Sequence, residues 1–184
     1  MATYSCLSSY YVVIQAARLN GFSPIIATSS ARHSDWLKSL GATHVLDRSL
    51  PPSEIKDKLS SLTAGKPIEF VYDAWGRDRE SARLGYTVLA PGGAFATVIP
   101  QELTDLKDLV EESEKKGEGK RVAQAWASFW PGNEELGDEI YKRLPGWLET
   151  GAIVVSGVLY LLVGILRLSG VALRFLAKQS GGAP

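Results

Sequence analysis

Hydrophobic positions in the first hundred residues alternate between a helical and a strand-like period. Apolar residues recur about every three to four positions in four segments, which predicts amphipathic helices. These helices cover residues 9–20, 34–40, 53–62 and 79–89. Runs of β-branched and aromatic residues lie between them and predict strands at residues 24–28, 43–46, 68–72 and 94–99.

Turn-forming residues separate these segments. Gly21 and Gly41 are expected to end the first two helices, and Ser53 is expected to cap the third. The run Pro91-Gly92-Gly93 predicts a tight turn before the last strand. Strands separated by helices of this length pair in parallel through right-handed crossovers. The predicted fold class is therefore α/β, a Rossmann-like, doubly wound, mostly parallel sheet.

The second half of the chain has a different pattern. Residues 101–120 are polar and carry mixed charges, which predicts an exposed helix end and a loop. Residues 122–127 favour a further strand, and residues 134–149 favour a helix that Pro145 would kink or break early. We therefore divide the chain into a dinucleotide-binding domain, residues 1–130, and a C-terminal helix with an apolar tail, residues 131–184.

The apolar tail contains no charged residue from Thr150 to Leu166. A single membrane span needs about 20 apolar residues, and about 17 is the lower limit. The run only reaches that limit, so a buried helix or a distorted domain tail is favoured over membrane contact. A tail-anchored membrane protein is kept as an alternative.

Composition excludes several classes of protein. The 184 residues carry 20 basic and 20 acidic side chains, which argues against a nucleic-acid-binding protein that acts by neutralising phosphates. Cys6 is the single cysteine and the histidines number two, so neither an internal disulfide nor a structural zinc cluster is expected. The N-terminus lacks the features of a secretory signal, and a cytoplasmic location is the expectation.

An ordered set of short segments gives a more specific indication. Its members are residues 14–22 (IQAARLNGF), 37–47 (LKSLGATHVLD), 70–74 (FVYDA), 89–93 (LAPGG), 147–151 (WLETG) and, more weakly, 168–171 (LSGV). The set resembles the nucleotide-binding half of the medium-chain dehydrogenase/reductase superfamily. The resemblance is closest to its zinc-free enoyl reductases and quinone-oxidoreductase-like members, including the trans-acting enoyl reductases of fungal polyketide pathways.

Ligands in such sheets bind outside the carboxyl ends of the strands. An NAD-specific site would place an acidic residue after the strand at residues 24–28, whereas a 2′-phosphate needs hydroxyl donors and a cation. Ser29, Ser30 and Arg32 are of the second type. By resemblance, Ser30 to His33 match the adenosine-phosphate loop of the family, so NADPH is the expected cofactor. Alternatively, Ser29 and Ser30 only cap the helix that begins near Ser34.

Other candidate residues are carried by the resemblance. Arg48 occupies a position near the adenosine ribose, although an exposed loop arginine is an equally good interpretation. Val98 and Ile99 fall where the family's chain passes the nicotinamide, although apolar residues at a strand end usually belong to the core. Tyr72 and Asp73 are expected to point towards the same cleft. No catalytic residue is assigned, and no metal ligand is expected.

The chain departs from the family at its start. A glycine-rich turn should precede Tyr11, but the first glycine is Gly21. Ser8 and Ser9 stand in that position and could still offer hydrogen bonds, whereas Tyr10 and Tyr11 would hinder a close approach of the cofactor to the backbone. Only residues 2–6 remain for the first strand, so we expect an incomplete first strand and a missing substrate domain.

The resemblance implies an NADPH-dependent oxidoreductase with enoyl reductase-like hydride transfer, acting on a small enoyl or quinone-like substrate. We expect this chain to be truncated and inactive alone. The alternative is a non-catalytic remnant or interaction module. An exposed sheet edge and the apolar tail also predict self-association into a homo-oligomer.

Overall fold

Six strands and seven α-helices alternate in the computed structural model, which describes residues 2–3, 7–74, 79–98, 100–124 and 134–154. The strands are β1 (Ala2–Thr3), β2 (Ile26–Ser29), β3 (His44–Asp47), β4 (Ile68–Asp73), β5 (Leu89–Thr97) and β6 (Arg121–Gln124). The helices are α1 (Leu7–Leu19), α2 (Ser34–Leu40), α3 (Pro52–Leu62), α4 (Arg79–Thr87), α5 (Pro100–Asp105), α6 (Lys107–Lys115) and α7 (Glu134–Glu149). The chain forms two compact units, Met1–Trp126 and Ala127–Pro184.

All six strands belong to one parallel sheet with the order β3-β2-β1-β4-β5-β6. This is the strand order of a dinucleotide-binding Rossmann sheet, so the predicted fold class is confirmed. The described part of the first strand is Ala2–Thr3. It lies at the centre of the sheet, where it pairs with β2 on one side and with β4 on the other.

Helices α1 and α2 cover one face of the sheet. Tyr11 and Ile14 of α1 pack with Leu37 and Leu40 of α2 over Ala27 of β2. The Tyr11 ring meets the Trp36 ring edge to face, with centroids 5.9 Å apart. Gly41 ends α2 as predicted, because its backbone φ of 121° is unfavourable for residues with a side chain.

The opposite face is covered in two places. Ile55 and Leu59 of α3 pack with Ile26 of β2 and Leu46 of β3. Further along the sheet, α4 and the junction of α5 with α6 pack on β4 and β5 through Ala82, Tyr86, Leu106, Val71 and Phe95.

An ion pair joins α4 to α6 at the surface. Both terminal nitrogens of Arg83 donate to the Asp108 carboxylate, at 2.6 and 2.7 Å, and one of them also donates to the Asp105 carbonyl at 3.0 Å. The Arg83 guanidinium holds the pKa of Asp108 well below its ordinary value, at about 2. The pair therefore keeps its charge at any mildly acidic pH.

Three local predictions were wrong at least in part. Ser53 does not cap α3, because the helix begins at Pro52 and Pro51 is its N-cap residue. The polar stretch beginning at residue 101 does contain an exposed helix end and a loop, since α6 ends at Lys115, but α5 and the fully buried Leu106 were not predicted. The helix α7 does not break early at Pro145, because it continues to Glu149, and a kink there stays a prediction.

The predicted tight turn at Pro91-Gly92-Gly93 was also wrong, because these residues lie inside β5. The pairing of β5 with β4 shifts register between Ile68 and Phe70, which is the signature of a bulge. Gly92 adopts a φ of 77°, and its amide donates to the Glu118 carbonyl at 2.7 Å. The glycines therefore allow an irregular strand rather than a reversal of the chain.

The second unit contains α7, in which Glu139 forms ion pairs with Lys142 and Arg143 at 3.2 Å each. Within the described residues, no helix combines the length and hydropathy that a bilayer crossing requires. Most of the apolar run from Thr150 to Leu166 lies outside the described residues, which end at Val154.

Replacing Gly93 by alanine should destabilise the sheet. A Cβ atom at this position would lie 2.9 Å from the Ala90 carbonyl oxygen and 3.1 Å from that of Glu69, and backbone atoms cannot move aside easily. We expect the G93A variant to lose about 1–3 kcal/mol of unfolding free energy. Denaturant unfolding followed by circular dichroism measures this loss.

The matched control is Gly146 in α7, where an added Cβ meets no atom within 4 Å. The G146A variant should be neutral, or more stable by about 0.5–1 kcal/mol. Equal stability of G93A and the wild-type chain would contradict the described pairing of β4 with β5.

Candidate functional site

The carboxyl ends of β2 and β3 carry a cluster of polar and basic residues. Ser29 is the last residue of β2 and lies in register with Asp47, the last residue of β3. The Arg48 amide donates to the Ser29 carbonyl at 3.0 Å. This bond joins the two loops that leave the strands, so Arg48 lies next to the serines that the sequence selected.

Ser29 and Ser30 do not cap a helix through their side chains. Ser30 precedes a short 3-10 turn, Ala31–His33, in extended conformation, and its side chain makes no capping hydrogen bond. The N-cap residue of α2 is His33. The alternative interpretation of these serines as side-chain caps is therefore wrong, and their half-buried hydroxyls have no hydrogen-bond partner among the described residues.

Arg32 and His33 form a side-chain pair in the same turn. The Arg32 Nε–H donates to Nε2 of His33 at 3.0 Å. Arg32 is exposed, His33 is half-buried, and the His33 amide donates to the Ser30 carbonyl at 3.0 Å. The turn therefore holds one cation and one imidazole beside the two serine hydroxyls.

Asp47 is engaged in a local turn that sequence reasoning did not identify. Its carboxylate accepts hydrogen bonds from the Ser49 amide at 2.9 Å and from the Ser49 hydroxyl at 2.8 Å. These bonds hold the pKa of Asp47 below its ordinary value, and the charge of Arg48 adds to the effect. The Asp-x-Ser spacing is typical of an Asx turn and could have predicted this contact.

The first turn of α1 is formed by residues 7–10, so Ser8 and Ser9 lie in the helix rather than in a turn before it. The helix begins earlier than predicted, and residues 4–6 alone connect it to β1. Its first amides have no partner within the helix, and they lie at the edge where β1 ends. The Tyr11 ring is buried against Ile14 and Trp36.

The remaining candidates lie at the ends of β4 and β5. Val98 is half-buried directly after β5, and its amide donates to the Asp73 carbonyl at 3.3 Å. Ile99 lies outside the described residues. Tyr72 and Asp73 do not point into one cleft as predicted, because successive strand residues face opposite sides of the sheet. The Tyr72 ring packs against the core under α1 and α2.

The pKa of Tyr72 is nevertheless affected by Asp73. Burial raises the pKa of the Tyr72 phenol, and the neighbouring Asp73 carboxylate raises it further. Tyr72 is therefore a neutral phenol at any physiological pH.

A row of buried polar residues lies near the carboxyl ends of the central strands. Thr28, Asp73 and Thr97 occupy equivalent positions on β2, β4 and β5, and each is at most 1% exposed. Their neighbours on the same face of the strands are apolar. The sequence analysis singled out Asp73 but neither of the two threonines. The row makes the carboxyl ends of the central strands polar even below the surface.

A protein-family model described as zinc-binding dehydrogenase matches residues 11–115, more than half of the chain. The chain belongs to this family. The match confirms the resemblance to the medium-chain dehydrogenase/reductase superfamily that was found in the sequence. No curated protein matches the chain significantly.

Solved structures of this family share the fold. The chain is 18% identical to an Escherichia coli quinone oxidoreductase complexed with NADPH, with a TM-score of 0.62, and the match covers 83% of this chain and 45% of that one. A quinone oxidoreductase from Pseudomonas syringae gives 19% identity, a TM-score of 0.59, and coverage of 85% and 47%. The chain therefore spans less than half the length of these two oxidoreductases.

A third solved structure matches over most of both chains. It is the nucleotide-binding subdomain of an enoylreductase domain from Mycobacterium tuberculosis, which is 18% identical, with a TM-score of 0.55 and coverage of 79% of this chain and 78% of that one. At such identities the likeness is one of fold. The chain is therefore similar in fold to a structure of a nucleotide-binding subdomain.

The family description refers to zinc. In the described ranges, no group of three or more His, Cys, Asp or Glu side chains is placed to hold a metal ion. These residues therefore do not fit a zinc site.

Replacing Ser49 by alanine should raise the pKa of Asp47. The variant removes the hydroxyl that donates at 2.8 Å and leaves only the backbone donor. The pKa of Asp47 should then move up towards its ordinary value, which carboxyl NMR titration measures directly. Ser53→Ala is the control, because Ser53 is exposed in α3 and should leave Asp47 unchanged. An unaltered Asp47 titration in S49A would contradict the described turn.

Proposed function

We propose that this chain binds NADPH and forms the nucleotide-binding half of an oxidoreductase that transfers hydride to an activated double bond. The observation that carries the proposal is the cluster of Ser29, Ser30, Arg32 and Arg48. The backbone hydrogen bond from the Arg48 amide to the Ser29 carbonyl brings the two loops of this cluster together. The proposed substrate is a small enoyl or quinone-like molecule.

The cluster fits a 2′-phosphate. The hydroxyls of Ser29 and Ser30 can donate to phosphate oxygens, and the guanidinium groups of Arg32 and Arg48 can neutralise its charge. No carboxylate ends β2, where an NAD-specific site would use one to bind both ribose hydroxyls. The carboxylate of Asp47, which lies in register with Ser29, accepts hydrogen bonds from Ser49.

Two further features support a dinucleotide rather than a free phosphate. The amides in the first turn of α1 lie at the centre of the sheet edge, where a pyrophosphate would accept hydrogen bonds from them. Val98, after β5, would contribute an apolar contact to the nicotinamide and keep water away from it.

In the proposed reaction, the cofactor and the protein would have separate roles. Bound NADPH supplies the hydride from its nicotinamide ring. The chain's own residues bind the adenosine phosphate at β2 and β3 and orient the nicotinamide near the end of β5. Support comes from the E. coli quinone oxidoreductase, whose structure is a complex with NADPH, and from the mycobacterial enoylreductase subdomain.

A second candidate is a non-catalytic binding module. The observation that favours it is the absence of glycine from residues 1–20, where the family's phosphate turn would fall. Side chains in that turn would hinder the approach of a pyrophosphate to the backbone. The two candidates therefore differ in whether the chain binds the complete dinucleotide.

Calorimetric titration of the full chain with NADPH and with NADH tests the proposal. We expect NADPH to bind more tightly than NADH. Removing the charge-assisted contacts of one arginine, as in R32A or R48A, should weaken NADPH binding by about ten- to a hundredfold and leave NADH binding nearly unchanged.

Lys38→Ala serves as the matched control, because Lys38 is an exposed cation on α2 outside the cluster. Equal weakening of NADPH binding by K38A would indicate a general charge effect instead of a site. A wild-type chain that binds neither cofactor at millimolar concentration would exclude the proposed function and favour the binding module.

A further inference from the structure

The hydrogen bond between Arg32 and His33 restricts the arginine before any ligand arrives. Nε of Arg32 donates to Nε2 of His33 at 3.0 Å, so this ring nitrogen is the acceptor. In the described part of the chain, the guanidinium makes no other hydrogen bond. The terminal amino groups, which form the two-pronged end of the guanidinium, therefore stay available for an anion.

His33 is itself held in place by the turn. Its amide donates to the Ser30 carbonyl at 3.0 Å, its side chain is half-buried, and it is the N-cap residue of α2. The backbone of His33 is therefore anchored to Ser30, the residue whose hydroxyl belongs to the proposed phosphate cluster. The ring of His33 in turn accepts from the exposed Arg32 side chain.

This arrangement has a consequence for affinity. An exposed arginine has many rotamers, and a ligand that selects one of them loses affinity through the ordering of the side chain. An acceptor that already restrains Nε of Arg32 reduces this loss of affinity. It leaves the two terminal amino groups of the guanidinium for bidentate binding. The gain applies only to a ligand with a group that Arg32 contacts.

We propose that His33 is a positioning residue that holds Arg32 through its Nε–H and thereby sets part of the preference for NADPH over NADH. The proposal rests on the proposed function, since it assumes that Arg32 contacts the 2′-phosphate. His33 itself acts through Arg32. Its effect should therefore depend on the presence of the arginine.

Two amide variants of the full chain test the role of the acceptor. In H33Q, the side-chain oxygen reaches the place of Nε2 and can accept from Arg32. In H33N, the amide is one methylene shorter and cannot. We expect H33Q to keep the wild-type ratio of NADPH to NADH affinity and H33N to lower it by about three- to tenfold, through NADPH binding alone.

A double-variant cycle identifies the route of the effect. In an R32A background, adding H33N should change neither affinity further, because the residue that His33 positions is gone. Circular dichroism of every variant shows whether the fold is kept, and H33Q provides a second comparison in case H33N unfolds.

The outcomes separate the two proposals. A wild-type chain that binds neither cofactor overturns both of them. A wild-type preference for NADPH that H33N leaves unchanged overturns only the role of His33. An equal effect of H33N with and without Arg32 likewise shows that His33 acts by another route, and it overturns the positioning role.

Discussion

Parallel pairing is the constraint on which the rest of this structure depends. Because all six strands run in the same direction, every strand ends at the same edge of the sheet, and the loops that follow them meet there. The centre of the arrangement is β1, which pairs with β2 through Ala2 and Thr3 and with β4 through the same two residues. A short strand at this place is sufficient to keep the order of a dinucleotide-binding sheet.

The register of β2 with β3 brings the polar residues at the ends of the two strands together. Ser29 and Asp47 end their strands side by side, and the next residue, Arg48, donates its amide back to Ser29. The carboxylate of Asp47 keeps its charge and is engaged by Ser49. Arg32 and Arg48 are both exposed at this edge, beside the half-buried Ser29 and Ser30. Two arginines and two hydroxyls are suited to a phosphate and unsuited to an apolar ligand.

Much of the fold could be predicted from local signals. The helix predicted at residues 34–40 coincides with α2, because Leu37 and Leu40 share its buried face and Gly41 stops it. The error at Pro91-Gly92-Gly93 has a tertiary cause, since pairing with β4 keeps these turn-forming residues inside a bulged strand. The helix α5 and the burial of Leu106 were not predicted, because the surrounding sequence is mostly polar and this burial depends on neighbouring elements.

The residues of the candidate site could be predicted from the sequence, but their contacts could not. Its residues could be chosen because they follow predicted strands, and Ser29, Ser30, Arg32, His33 and Arg48 do lie at the ends of β2 and β3. Their mutual contacts could not be predicted, since the Arg48 to Ser29 bond depends on strand register and the Arg32 to His33 bond depends on a 3-10 turn. The Asx turn at Asp47 was readable from its spacing alone.

The proposed function requires that the edge formed by β2 and β3 binds the adenosine 2′-phosphate of NADPH. The most direct test is an NMR titration of the isotope-labelled chain with adenosine 2′,5′-bisphosphate, which carries that phosphate without the nicotinamide. We expect saturable shifts of the amides of Ser29, Ser30 and Arg48, and no shift of Lys66, which precedes β4 at the opposite edge. Saturable shifts confined to the opposite edge, or no shifts at all, would contradict it.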